Sequence, residues 1–243
     1  MAAEHKRLGW LWITAGVVAL LLVAAYGLHT LSRSRDYQLF GRLVSHVNTS
    51  ERVVALTFDD GPTADYTPQI LTTLKDRNVK ATFFLVGREI AQAPDVAKAI
   101  VAAGHQVGNH TWNHARMTLA DVARARAEIE PTDAQIRAAG YTGDIMVRPP
   151  NGKKLIGLPL YLSQHDRVTV MWNVEPDSYP DIASDPKRIA DYVVSRVKPG
   201  SIVILHAMYK SRETTRQALP MIIDGLRAKG YRFLTVEELM KFQ

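Results

Sequence analysis

No cysteine occurs among the 243 residues, which removes disulfides, thiolate metal sites and cysteine nucleophiles together. That absence leaves the redox compartment open. No long cluster of lysine and arginine occurs either. The net charge of +6 is shared out, with Lys6, Arg7, Arg33, Arg35, Arg42 and Arg52 set against Glu4, Asp36 and Glu51 in the first 52 residues, and an equal excess dispersed beyond them. Dispersed charge of this kind argues against a nucleic-acid partner. The hydrophobic fraction, 47%, argues against global disorder and suffices for one sizeable core. A chain of this length holds one α/β barrel or two small domains.

Charge is missing altogether from Gly9 to Leu28, GWLWITAGVVALLLVAAYGL, a run of about 20 residues, long enough to span a bilayer. Trp10, Trp12 and Tyr26 stand near its ends, where amphipathic rings favour the interface. Lys6 and Arg7 precede it, and Arg33 and Arg35 nearly balance them on the other side. Val23-Ala24-Ala25 resembles a cleavage site, so a removed signal peptide competes with a signal anchor. The expected organisation is a cytoplasmic segment 1–8, an anchor 9–28, a polar stalk 29–52 and a domain 53–243 outside the cytoplasm, at a periplasmic or extracellular face. Cleavage of the anchor would make that domain a secreted one.

Beyond the stalk, short β-like runs alternate with helix-length amphipathic stretches. The strands expected are 53–58, 80–86, 106–109, 144–148, 168–174, 201–205 and 231–235. Helices are expected over 67–77, 118–139 and 213–229, the last stopped by Gly230. Strands separated by helices imply a parallel sheet. Seven such units point to a whole or partly closed barrel, with an open doubly wound sheet as the alternative. In α/β barrels chemistry collects at the carboxyl ends of the strands, and the polar residues of interest fall there.

The first is TFDDGP, 57–62, where Asp59 and Asp60 stand together after an apolar strand. Adjacent carboxylates repel unless a positive charge lies close. The second is NHTWNH, 109–114, whose His110 and His114 are four apart. On a helical turn that spacing brings two imidazoles to one face and one metal ion. With one aspartate added, the donors hold a divalent cation and leave positions open, while the other aspartate is free to take a proton from water. The third is RPPNG, 148–152: Pro149 and Pro150 stiffen a loop in which Arg148 can orient the free aspartate and the Asn151 N–H can face an oxyanion. The fourth is the run SIVIL into His206, a candidate general acid at a strand end. His5, His29, His46, His105 and His165 have no such placement.

TFDDGP, HTWNH, RPPNG and ILH, in that order, resemble the signature of NodB-type polysaccharide deacetylases, carbohydrate esterase family four, over about 53–240. The resemblance implies a distorted (β/α)7 barrel, the NodB homology domain, and a divalent metal, usually zinc, with cobalt, nickel or manganese as substitutes. It implies metal-assisted hydrolysis of N-acetyl groups on amino-sugar polymers. Carried over by position, Asp59 is the general base, Asp60, His110 and His114 hold the metal, Arg148 positions Asp59, and His206 protonates the departing amine. Asn151, with Pro150 beside it, belongs to the substrate and oxyanion side.

One motif departs. Where the family often has DxxDW after strand five, this chain reads MWNVEPDSYP, 171–180. Asp177 and Glu175 are both candidate partners for His206, Asp177 the preferred one, and Trp172 is expected in the core. The departure bears on substrate choice more than on chemistry. The expected substrate is an N-acetylated glycan of the envelope or an exported one: peptidoglycan, chitooligosaccharide or biofilm polysaccharide. O-deacetylation of an esterified polysaccharide and non-catalytic glycan binding are the alternatives.

Overall fold

The computed structural model describes the backbone of residues 2–242, and the side chains of Trp10 and of 12–242; the expected cytoplasmic segment, 1–8, lies outside the described side chains. In chain order the elements are α1 (Ala2–Ser32), β1 (Leu43–Val44), β2 (Val53–Asp59), α2 (Thr67–Asp76), β3 (Thr82–Leu85), α3 (Gly87–Gln92), α4 (Pro94–Ala102), β4 (Gln106–Asn109) and α5 (Val122–Ala138). There follow α6 (Gly157–Gln164), β5 (Thr169–Val170), α7 (Pro180–Ala183), α8 (Pro186–Arg196), β6 (Ser201–His206), α9 (Glu213–Ala228), β7 (Arg232–Leu234) and α10 (Val236–Met240).

The ladders are parallel, in the order β4-β3-β2-β6, with β7 also on β2 and β1 on β5. All seven residues of β2 are buried, as a strand covered on both faces requires, which is why its sequence is almost continuously apolar. Alternation along it separates two layers. Val54, Leu56 and Phe58 pack outward beneath the helices. Val53 and Ala55 face an inner cluster with Phe84, Met171, Ile202 and Ile204. The period of two places Thr57 and Asp59 on that inner side, at the carboxyl end of the strand.

Expected strand 144–148 is reduced to single bridges, Val147 pairing with Asn109 and with Thr169. Its Pro149-Pro150 cannot donate to a ladder, and Arg148 spends its backbone N–H on the Asn109 carbonyl at 3.0 Å. Segment 168–174 ladders only at Thr169–Val170, with Val174 bridging Val203. The bridges carry the parallel array on from β4 to β6, compatible with the expected distorted barrel.

The stalk is a correction. Residues 43–44 pair with 169–170, His46 bridges Ser201, Val44 and Val47 are buried, and the Val47 N–H donates to Gly200 O at 2.9 Å. A two-residue strand in a polar setting has no periodicity to announce it. Before it, α1 carries a 21-residue stretch, Trp12–Ser32, long and apolar enough to cross a membrane. Trp10, Trp12, Leu20, Leu21, Leu22, Val23 and Tyr26 are all exposed. The helix runs without a break to Ser32, which is buried against the domain.

Candidate active site

Asp59 closes β2 and His206 closes β6, and the two are register partners in the ladder. Asp59 is 2% exposed. Its Oδ1 accepts from Arg148 Nη1 at 2.6 Å, leaving Oδ2 on the other side, 3.6 Å from His110 Nε2. Burial pushes the Asp59 carboxyl up, but Arg148, His110 and His206 outweigh it and hold it below the usual value.

Arg148 is fully buried. Nη1 also donates to Thr57 Oγ1 at 2.7 Å, Nε to Val170 O at 3.2 Å and Nη2 to Met171 O at 3.0 Å. Its guanidinium lies over the Phe84 ring, 4.1 Å from the centroid. Each of the three guanidinium nitrogens donates, so the direction of the planar fork is fixed. Thr57 passes the network on by donating to Val203 O at 2.7 Å.

His110 is 1% exposed. Its Nδ1 lies 2.7 Å from Arg148 O; a carbonyl only accepts, so Nδ1 carries the proton and donates. Burial lowers the pKa of His110 despite both aspartates, so the ring is neutral and Nε2 presents a lone pair. That lone pair faces Asp59 Oδ2 at 3.6 Å and Asp60 Oδ1 at 3.8 Å, acceptor against acceptor. His114 Nε2 stands 3.3 Å from the same Asp60 oxygen, and the two imidazoles are 5.0 Å apart between centroids. Ligand atoms of Asp60, His110 and His114 lie within 4.8 Å of one another. Two imidazoles and a carboxylate converging on one point, with a lone pair aimed at anions, fit a divalent cation.

The histidines do not sit on a helical turn, as their spacing predicts. Residues 110–114 form a loop with Thr111 and His114 at φ 68° and 56°. A left-handed β-branched residue is strained, and Asn109 over-determines it. Asn109 Oδ1 accepts from the Thr111 N–H at 2.8 Å, while its Nδ2 donates to Ile129 O and to Asp133 Oδ1 at 2.7 Å. Gly87 N donates to Thr111 O and Asn113 N to Glu128 Oε2. Asp60 and Asn151 are also left-handed, at φ 76° and 56°, so the strain clusters around the site.

His206 Nδ1 lies 3.2 Å from Asp177 Oδ2, which also accepts its backbone N–H at 2.6 Å. Burial opposes the imidazolium, but Asp177, Asp59 and Asp60 outweigh it and raise His206 to about 9. Of the two candidate acids, the geometry selects Asp177. Glu175 is corrected: it accepts from the Trp172 indole N–H at 3.0 Å and Ser178 Oγ at 2.6 Å, and pairs with Arg35. Trp172 is buried in the inner cluster. Thr57, Asn109 and Arg35 escaped sequence reasoning. Thr57 alone had a signal, standing two residues before Asp59 on the same strand face.

A cleft of about 520 Å³ is lined by Asp59, Asp60, His110, His114, Asn151, Trp172 and His206, among others; Pro150, next to Asn151, is buried. A larger cavity of about 710 Å³ opens between 144–146 and 165–168, at the opposite, amino ends of their strand segments, away from the convergent histidines.

Residues 46–166 match the family model described as polysaccharide deacetylase. A peptidoglycan-N-acetylglucosamine deacetylase of Bacillus cereus is 31% identical over 210 residues, covering 86% of this chain and 98% of that protein. The solved structure of a peptidoglycan N-acetylglucosamine deacetylase superposes with a TM-score of 0.77 at 30% identity, over 83% of this chain and 94% of the other. A carbohydrate esterase family four pseudoenzyme from Bacillus anthracis gives 0.73 at 29% identity, over 83% and 70%. The metal-dependent polysaccharide deacetylases of carbohydrate esterase family four are the family to which this chain belongs.

Proposed function

We propose that this protein removes acetyl groups from N-acetylated amino sugars of a cell-envelope glycan, releasing acetate. The observation that carries the reading is the convergence of an ionised Asp59, the Asp60-His110-His114 donor set and a protonated His206 on one cleft. Asp60, His110 and His114 hold the metal, with zinc the best match to two imidazoles and one carboxylate. Such an ion, when bound, polarises the acetamide carbonyl and lowers the pKa of water beside it.

The chain's own groups supply the rest. Asp59 Oδ2, the oxygen not engaged by Arg148, takes the proton of the attacking water as the C–O bond forms. Arg148 keeps that carboxylate ionised and aimed. The Asn151 N–H faces the oxygen on which negative charge develops. As the C–N bond breaks, His206 gives its proton to the amine nitrogen through the ring nitrogen that Asp177 leaves free. Acetate and a free amine are the products. An amine is a poor leaving group unless protonated, so an acid already charged at neutral pH suits an amide better than an ester.

The apolar stretch of α1 acts as a membrane anchor, placing the domain at the outer face of the membrane. Its continuity into residues packed on the domain favours retention over cleavage. The test is acetate release by the full chain from N-acetylchitooligosaccharides, peptidoglycan fragments and acetylated xylan, with chelator and then with zinc restored. Zinc-dependent release from an amide substrate is expected. Release from the ester alone would move the activity to O-deacetylation, and none from any, with zinc bound, would favour a glycan-binding pseudoenzyme.

A further inference from the structure

The catalytic cleft has a wall that comes from outside the expected domain. Arg33 and Arg35, just beyond the end of α1, line it together with Lys153 and Arg212. The segment is fixed there. The Lys154 N–H donates to Ser32 O at 3.0 Å and Lys154 Nζ to Ser34 O at 2.6 Å. Lys154 is 1% exposed, and burial lowers it to about 8. A buried ammonium committed to a carbonyl of residue 34 is a structural tie, not a chance contact. Arg35 then closes on Glu175, whose carboxylate also holds Trp172 and Ser178.

The charges on this wall do not balance within the protein. Of the cleft's carboxylates, Asp59 is matched by Arg148, Asp60 faces the two histidines and Glu175 is taken by Arg35. Among the described residues no carboxylate pairs with Arg33, Lys153 or Arg212. Among the described residues the partner of the Arg33 guanidinium is His29 Nε2, at 3.5 Å. Lys153 is lowered by burial and then by the neighbouring charges of Arg33 and Arg116, like charges held close without a counter-ion.

We propose that Arg33, Lys153 and Arg212 form an anion-binding subsite, and that the glycan carries a carboxylate or phosphate close to the sugar being deacetylated. This rests on the deacetylase reading above and narrows it: a neutral N-acetylglucosamine polymer has nothing to offer these cations, whereas an anionic glycan is drawn in and registered by them.

The test uses the full-length, zinc-loaded protein in neutral detergent, with an Asp59→Asn change to stop turnover. Calorimetric Kd values are compared for three oligosaccharides of equal length: neutral N-acetylglucosamine, one with N-acetylmuramic acid carboxylates, and one with phosphate esters. At low salt at least one charged oligomer should bind about tenfold more tightly than the neutral one, and the advantage should shrink toward unity near ~0.5 M salt. Which of the two charged oligomers prevails identifies the anion. Adding Arg33→Gln and Lys153→Gln together should collapse the ratio, and Arg33→Lys should keep it. Equal or absent binding of all three, or a ratio that survives the double change, would overturn the subsite. Acetate release from the same oligomers by the chain with Asp59 intact reports on the chemistry separately: a tenfold ratio without release would leave the subsite standing and remove the deacetylase.

Discussion

Arg148 Nη1 and Asp59 Oδ1 are 2.6 Å apart, with side chains 0% and 3% exposed. Neither charge has water to fall back on, so removing the cation strands a buried carboxylate. Arg148→Gln should cost about 3–5 kcal/mol of stability, read as a lower denaturant midpoint. It should also raise the pKa of Asp59, whose present value is depressed. A depressed carboxyl stabilises the fold above its unfolded pKa and loses that contribution as pH falls through its folded one. The acid limb of the rate profile should therefore move to higher pH. Arg148→Lys should fail to restore it, because an ammonium cannot reach Thr57, Asp59, Val170 and Met171 together.

Asp59 and the histidines should separate proton transfer from metal retention. Asp59→Asn should lower turnover by about 10²–10⁴-fold while zinc stays bound, since Asp60, His110 and His114 are untouched. His110→Ala should empty the site. His114→Ala should weaken it less, because the His114 side chain is 37% exposed and is held only by its approach to Asp60 among the described residues, whereas His110 is buried and tied to Arg148 O. Zinc content after dialysis, by mass spectrometry, checks all three. An Asp59→Asn protein that lost its zinc would make Asp59 a ligand rather than the base.

His206 gives a prediction with the opposite sign. Its pKa, about 9, lies above the ordinary value of about 6.5. The imidazolium's contribution to stability is thus complete below about 6.5 and disappears as pH rises through 9. The acid form needed for the leaving amine persists through neutral pH and disappears only around the folded pKa, about 9. Asp177→Asn removes the main raising influence, so the alkaline limb of amide turnover should shift to lower pH. An alkaline limb that stays in place would mean that another group sets it.

How far the sequence carried is clear from these residues. The motif residues were legible because each type is chemically committed: paired carboxylates, two imidazoles, an arginine before two prolines, a histidine at a strand end. The path of the backbone between them was less so. Spacing of four suggested a helical turn for His110 and His114, but the turn is a left-handed loop imposed by Asn109 and Asp133, 24 residues apart in the chain. The choice between Asp177 and Glu175 depended on which acid lies against β6, and proximity in sequence carries no such information. Arg35 reaches Glu175 across 140 residues, beyond any local pattern.

Whether residues 43–49 are fold or stalk can be settled at Gly200. A Cβ there would stand 1.8 Å from Val47 O and 3.2 Å from Thr49 Cγ2, and its φ of +78° already disfavours any side chain. The conformational penalty of a Cβ on a left-handed backbone is about 1 kcal/mol, and displacing a packed backbone adds roughly 1–3 kcal/mol. Gly140 is the control: its φ is +93°, but nothing lies within 4 Å of the added Cβ. Gly140→Ala should therefore cost only the first amount, and Gly200→Ala about 2–4 kcal/mol, both read from denaturant midpoints. If residues 43–49 were a detachable tether they would move aside, and the two substitutions would cost the same.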